Sequence, residues 1–399
     1  MDDIRTSADV LIVGGGVIGS AIAYHAARAG LSTVVLERRD LVSQPGASWA
    51  SAGGVRSQGR DPAETPLAIA AINRWANLAD ELDADLQYRR GGTLQVAESD
   101  EQAVEVKAYV DYQQAQGLAD VTLLTRQEIA EMVPGVHPDV VAGSFASNDG
   151  QADAVLTTQA LARAAQRLGA QYRTRVTALE LLVEGDRVRG VRTATDTLHA
   201  GTVVLAASVG SAALAETAGL RLPVRPLALQ MLRSNPAPPG RLRPVLGAVR
   251  RALSLKQLAD GAFLIGGGWA ADITDADNER AQLLSERISG NWADACGVLP
   301  EVAQYEIART WFGIEAESID AIPFLGPVPG WPGLLLATGF SGHGFALAPV
   351  VGELIVADLL GQASPADVSG LRAARINDFD RDTVRRFIIG ETPSNPSAG

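Results

Sequence analysis

The chain has 399 residues, 47% of them hydrophobic, with a formal net charge of −12 and a pI near 4.9. That length exceeds a typical single core and predicts two domains, or one with a large insertion. The acidity argues against nucleic acid and anionic membrane surfaces as partners, because both would repel it, and otherwise serves solubility. A single cysteine, Cys296, excludes an internal disulfide framework and a zinc-thiolate or iron–sulfur site held by this chain alone, and no metal is expected. No secretory signal pattern precedes the first strand, and no apolar run reaches the ~18 residues that span a bilayer. The expected location is the cytoplasm, free or peripheral at the inner membrane.

Taken in chain order, the pattern opens as a βαβ unit. "DVLIV" is a continuous apolar run, as strands buried on both faces are. A helix follows from Val17 to Ala29, stopped by Gly30, and "STVVLERRD" (Ser32–Asp40) is the next strand. The loop Ser43–Gly59 is dense in small residues, and "ETPLAIAAINRWANLADEL" has helical spacing. "LQYRRGGTLQVAES" (Leu86–Ser99) alternates around a Gly-Gly break and predicts an antiparallel hairpin. Helices are expected over "EQAVEVKAYVDYQQAQG" and "DAVLTTQALARAAQRLGA", with a hairpin turning at Glu184–Asp186. "HAGTVVLAASVGSAAL" returns to a buried strand, a small-residue turn and a helix. From Pro223 to Ala308 hairpin-like strands resume, "RALSLKQLADGAFLIGG" among them, with a helix over Asn278–Cys296. The segment Leu334–Gly361 again reads strand, glycine-rich turn, helix.

The expected fold is α/β: a Rossmann-like nucleotide-binding domain built discontinuously, carrying a second, mostly antiparallel sheet (α+β) domain. The expected boundaries are 1–85, 145–222 and 320–390 for the first and 86–144 and 223–319 for the second, with a flexible tail at 391–399.

The two glycine turns carry the chemistry. Gly14, Gly16 and Gly19 fit G-x-G-x-x-G directly after a strand and at the opening of a helix. The first permits a tight turn, the second lets backbone approach a pyrophosphate, and the third lets helix and strand pack closely. The helix N-terminus offers unpaired N–H groups to phosphates. Glu37, ending the second strand, suits ribose hydroxyls; it would repel the 2′-phosphate that Arg38 alone would invite. The same three glycines also serve close packing without a ligand, and they do not by themselves distinguish a nicotinamide dinucleotide from FAD. The second turn, "GFSGHGF" (Gly339–Phe345), favours FAD. An isoalloxazine must be held far from the adenosine end. The N1–C2=O edge of a flavin becomes negative on reduction and is stabilised by a helix N-terminus, whereas a nicotinamide becomes neutral. His343 in that turn can equally be a satisfied loop residue.

The stretches "DVLIVGGGVIGSAIAYHAARAG", "VVLERRD", "GASWASAGGVR", "VVLAASVGSAA" and "DAIPFLGPVPGWPGLLLATGFSGHGFALAPVVGELIVADLL" resemble the D-amino-acid oxidase superfamily, from Ala8 to Gly361. The branch resembled is that of glycine oxidase, sarcosine oxidase and the flavin subunits of opine and amino-acid dehydrogenases. The resemblance implies FAD-dependent oxidation of an amine carbon–nitrogen bond, giving an imine that hydrolyses. It implies phosphate contacts at Gly14, Gly16, Val17, Ile18 and Gly19, the adenosine ribose at Glu37 and Arg38, and pyrophosphate and ring contacts at Ser48, Ala52, Gly53 and Gly54. Val176 would flank adenine, and Ala207 and Gly210 would line the cofactor. Gly339, Gly342, His343, Gly344, Phe345 and Ala346 would face the flavin pyrimidine.

The chain also departs from that pattern. Some members tether the flavin through cysteine or histidine; the lone cysteine lies far from both turns, so the FAD is expected to be non-covalent. The lysine that assists reaction with oxygen in sarcosine oxidase is matched by Leu264, which favours a dehydrogenase over an oxidase. Lys256, eight residues earlier on the paired strand, is the alternative occupant of that role. A carboxylate-binding lysine is matched by Ala346, and the corresponding arginine of glycine and D-amino-acid oxidases by Glu315. Arg56 and Arg309 are the remaining cations near the right segments, and each can equally be a structural ion pair. The catalytic candidates are therefore Arg56, Arg309, Glu315 and His343. The expected partners are a small amine or amino-acid substrate and an electron acceptor (a quinone, a dye or a partner subunit), in a homo- or hetero-oligomer. The competing readings are an oxidase of the same fold, a flavin subunit of a larger dehydrogenase, and a nicotinamide-dependent dehydrogenase.

Overall fold

The computed structural model of the chain describes residues 6–276 and 279–388. The tail 391–399 lies outside them. Two compact units divide these residues: 6–48, 157–227 and 314–388 form the first, and 49–156 with 228–313 the second. Relative to the expected boundaries, 49–85 and 145–156 fall in the second unit, and 223–227 and 314–319 in the first.

The first unit is built on the apolar runs. Its central strands lie in the order Leu334–Thr338, Thr197–Leu205, Ser7–Val13, Thr33–Glu37, Gln171–Thr174, and every adjacent pairing among them is parallel. Phe324–Pro327 closes one edge antiparallel. The hairpin Glu180–Glu184/Arg187–Arg192 joins Thr197–Leu205 at its outer end. Leu11, Val34, Leu36, Val203, Leu205 and Leu336 are buried in one core cluster, which is why these strands show no polar alternation. The helices Val17–Arg28 and Gly344–Leu360 pack against each other so closely that a Cβ on Gly352 would meet the backbone of Ala21 at 2.6 Å. The two strand–glycine-turn–helix segments thus belong to one unit.

An eight-stranded sheet runs in the order Ile307–Ser318, Val224–Pro236, Ala262–Gly266, Ser254–Gln257, Val245–Ala248, Thr93–Ala97, Ala142–Ala146, Val121–Thr125, and lies in the second unit except for 314–318 and 224–227 of its first two strands. Val245–Ala248 pairs parallel with Thr93–Ala97; the pairings of Ala262–Gly266 with its two neighbours, and those of Ala142–Ala146, are antiparallel. Leu94, Leu232, Leu246, Leu255, Phe263 and Ile265 bury one face of this sheet with Ala295 and Val298 of the helix Ser285–Val298. The expected Leu86–Ser99 hairpin does not form. Only Thr93–Ala97 is a strand, and the Gly-Gly pair leads into it, with the Gly92 amide donating to the Asp149 carbonyl at 2.8 Å. The helix expected over 278–296 begins only at Ser285, because Asp272–Asp275 and Arg280–Gln282 form a hairpin before it. Among the described residues no helix is long and apolar enough to cross a membrane.

Candidate functional site

In the first unit three small-residue turns follow three adjacent parallel strands. Val13, Leu205 and Leu336 are register partners across the sheet, so the turns at Gly14–Gly19, Ala206–Gly210 and Gly339–Gly344 leave the same carboxyl edge. This is the edge where open α/β sheets bind ligands. Gly14 has φ +108°, a conformation glycine adopts without strain, and a Cβ there would run into the Ala206 carbonyl. At Gly16 a Cβ would lie 3.0 Å from the Ser48 hydroxyl. That hydroxyl accepts from the Val17 amide at 2.9 Å and so caps the helix Val17–Arg28, whose own N-cap, Gly16, has no side chain to do so. The amides of Gly16, Ile18 and Gly19 donate to no group among the described residues. Glu37 ends its strand with the carboxylate accepting from the Gly15 and Arg39 amides, each at 2.9 Å. Its remaining lone pairs are open to hydroxyl donors. Arg38 is half-buried beside it, and the Val176 amide donates to the Glu37 carbonyl at 3.0 Å. The Ala207 amide donates to the Ser211 hydroxyl at 3.0 Å, and Gly210 opens the short helix that follows.

At the third turn Gly339, Ser341 and Gly342 all have positive φ, and His343 is the N-cap of the helix Gly344–Leu360 without a side-chain capping bond. The Gly344 amide donates to no group among the described residues. Phe345 and Ala346 are buried in the first turn of that helix. The Glu315 carboxylate accepts from the Gly342 amide at 2.7 Å. Loss of hydration pushes the half-buried Glu315 carboxyl up to about 7; the Gly342 amide opposes the shift and Glu317 adds to it. Glu315 and His343 are therefore both at this turn.

The second unit contains a pocket of about 160 Å³. Trp49 and Trp311 form an aromatic wall, with ring centroids 6.3 Å apart in an edge-to-face arrangement, and Leu264 and Ala52 also line it. Its cations are Arg89, Arg233 and Lys256, and its acid is Asp153. Arg56 and Arg309 are not among its lining residues. Arg309 is exposed and lies over the Trp49 and Trp311 rings, 5.3 Å from each centroid, a cation–π contact. Arg56 packs against Gly59, and its carbonyl accepts from the buried Arg60 guanidinium at 2.9 Å. Gly53 precedes, and Gly54 opens, the strand pair Gly54–Val55/Gly150–Gln151, and a Cβ on Gly53 would stand 3.2 Å from Lys256 Nζ. Lys256 is buried, and desolvation pulls its ammonium down to about 7, with Asp153 opposing. Lys256 and Leu264 are direct cross-strand partners, as are Arg233 and Leu264. Sequence reasoning missed Arg89 and Arg233. Alternation within "LQYRRGG" gave no sign that Arg89 borders a pocket, and strand pairing across distant segments alone brings Arg233 there.

Comparison with known proteins fits this geometry. The family model described as FAD dependent oxidoreductase (DAO) matches residues 9–358. The chain belongs to this family. It is 29% identical over 361 residues to a subunit of the opine oxidase of Rhizobium meliloti, covering 86% of this chain and 93% of that protein. It is 30% identical over 369 residues to a glycine oxidase of Pseudomonas aeruginosa, covering 89% and 95%. Among solved structures, L-proline dehydrogenase from P. horikoshii superposes with a TM-score of 0.87 at 25% identity, over 94% of this chain and 99% of that one. The cofactor of this oxidoreductase is FAD, and the first unit fits it: unpaired amides at Gly16, Ile18 and Gly19, and a glycine cradle that a Cβ would fill.

Proposed function

We propose that the chain oxidises the carbon–nitrogen bond of a small carboxylate-bearing amine or amino acid. The observation that carries this reading is a small, aromatic-walled pocket lined by three cations, on a chain of this flavoprotein family. FAD when bound supplies a two-electron sink that takes a hydride from the substrate's α-carbon. The protein's part is binding and orientation. Gly14–Gly19 and Ser48 hold the diphosphate, Glu37 and Val176 the adenosine, and the Ala207, Gly339 and Gly342–Ala346 turns the remainder, without a covalent bond. The substrate binds in the second unit, with Trp49, Trp311 and Leu264 enclosing its apolar part and the pocket cations holding its carboxylate. The carbon loses hydride, the nitrogen loses a proton, and the resulting imine takes up water to give a carbonyl compound and an amine. Anaerobic addition of amino acids, N-methyl amino acids, D-amino acids and opines tests this: at least one should bleach the flavin absorbance. Failure of every carboxylate-bearing amine to bleach it would sink the reading.

A second observation bears on the acceptor. Leu264 alone favours a dehydrogenase, but Lys256 stands directly opposite it in the same pocket. A fixed cation stabilises the superoxide-like charge that forms as oxygen is reduced to hydrogen peroxide. We therefore favour oxygen as acceptor, with the Lys256 ammonium available once product has left. Stopped-flow reoxidation by air-saturated buffer should be fast, release stoichiometric peroxide, and slow in Lys256→Met. Slow reoxidation in the wild type would point to a quinone or a partner protein instead.

A further inference from the structure

Glu315 and Glu317 stand two residues apart on the strand Ile307–Ser318, and only one of them has a cation. Arg225, from the adjacent strand Val224–Pro236, places its Nε 2.7 Å from Glu317 Oε2. Glu315 makes no ion pair among the described residues; the bond its carboxylate makes there is the one accepted from the Gly342 amide at 2.7 Å. The other segments bonded to the strand at this point bring no charge. The Ile314 amide donates to the Pro45 carbonyl at 2.8 Å and the Ala316 amide to the Ser208 hydroxyl at 2.9 Å. Neither the loop Ser43–Ser48 nor the turn Ala206–Gly210 contains a charged residue. On the turn Gly339–Gly344 the titratable side chain is His343.

An acid without a cation thus bonds to the glycine turn at the N-terminus of the helix Gly344–Leu360. That end of a helix favours negative charge. On the seating of FAD proposed above, the same turn faces the part of the cofactor that becomes negative on reduction. Two like charges at one place each make the other costlier, and a proton on one of them relieves both. Glu315 is suited to hold that proton, because its carboxyl, raised to about 7, is at the border of ionisation near neutral pH.

We propose that Glu315 takes up a proton from solvent when the bound flavin gains two electrons, and returns it to solvent on reoxidation. Oxidation of the amine releases two electrons and two protons. The hydride carries both electrons and one proton to the flavin, and the proton lost by nitrogen goes to solvent. Glu315 then holds a second proton beside the reduced cofactor, so the turn gains no net charge over the cycle. In this role Glu315 acts through the cofactor and touches no substrate. The role rests on the seating of FAD at this turn and not on which amine is oxidised.

The test uses the full-length, FAD-loaded protein with an electrode as reductant and no amine. Spectroelectrochemical titration reads the protons taken up per two electrons. For each tenfold fall in proton concentration above about pH 7, the flavin midpoint should drop by ~59 mV in the wild type, two protons per two electrons, and by ~30 mV in Glu315→Gln, one proton. A wild-type drop of ~30 mV overturns the proposal. So does a drop of ~59 mV in both proteins, which would put the second proton on His343 or on the flavin itself. Infrared difference spectra of the wild type at pH 8, reduced minus oxidised, check the site without a variant, so a Gln protein that fails to hold FAD does not shelter it. Reduction should replace carboxylate stretches by a protonated-carboxyl C=O band that shifts in deuterated water; absence of that band overturns the proposal. Both signatures in a protein whose flavin no amine bleaches would sink the substrate reading and leave this role of Glu315 standing. Bleaching by an amine with a one-proton wild-type slope does the reverse.

Discussion

A buried lysine carries a penalty that depends on pH. Lys256 has its ammonium lowered from 10.5 to about 7, chiefly by desolvation. Between those values the unfolded chain binds a proton that the native one does not, so this group makes stability rise with pH from about 7 to 10.5. Below the lower value the penalty is present in full. Lys256→Met should therefore stabilise the protein at pH 6 by about 1–4 kcal/mol, the gain shrinking toward pH 10; urea midpoints at the two pH values measure it, and equal shifts at both would refute it. Glu315 shows the opposite window. Its carboxyl is raised from 4.5 to about 7, so the native state holds a proton the unfolded chain has lost, and stability falls as pH rises across that interval. Glu315→Gln keeps an acceptor for the Gly342 amide but removes the titration. The variant's melting temperature should exceed the wild type's at pH 8 and match it near pH 4.5; a constant difference would remove Glu315 as the source. Neither shift was legible in the sequence. "FGIEAES" and "LSLKQL" show the residue types, but their surroundings include partners far along the chain, Gly342 for one and Asp153 for the other.

At the scale of elements, the strand–turn–helix segments were the most legible parts because their determinants are local. The apolar run, the glycine spacing and the helical period sit within about thirty residues. The first glycine turn yields a direct test. A valine at Gly16 would press on the Ser48 hydroxyl, 3.0 Å from its Cβ, and cover the amides that have no protein partner. Gly16→Val should weaken FAD binding at least tenfold, about 1.4 kcal/mol, while circular dichroism stays near wild type; full FAD occupancy after dialysis would argue against diphosphate binding there. The hairpin expected at Leu86–Ser99 failed for the converse reason. Alternation identifies a strand but not its partner, and Thr93–Ala97 pairs with Ala142–Ala146 and Val245–Ala248 rather than with the residues just before it. The pocket's row of Arg233, Leu264 and Lys256 is likewise a product of register, which a single sequence does not display.

At the scale of the molecule, the discontinuous two-unit plan is visible in the alternation of parallel-type and hairpin-type segments. Its boundaries are less so. The small-residue loop after Thr33–Glu37 changes unit within itself: Ser48 bonds to Val17 in the first, and Gly54–Val55 pairs with Gly150–Gln151 in the second. No shift in composition marks that point. Whether the flavin is tethered is also a question about the whole chain, since a covalent link needs a reactive side chain at the cofactor. Cys296 is the lone thiol. It packs against the core of the second unit from the helix Ser285–Val298, and burial raises its pKa, so little reactive thiolate forms. Of the four histidines, His25 is buried inside the helix Val17–Arg28, His137 lies beside Asp139, and His199 is in the strand Thr197–Leu205. That leaves His343, at the turn preceding Gly344–Leu360, as the histidine in one of the glycine-rich turns at the carboxyl edge of the parallel sheet. Acid precipitation should therefore release all the flavin into the supernatant as FAD, leaving a colourless pellet. A yellow pellet would mean a covalent bond, and loss of that colour in His343→Ala would locate it.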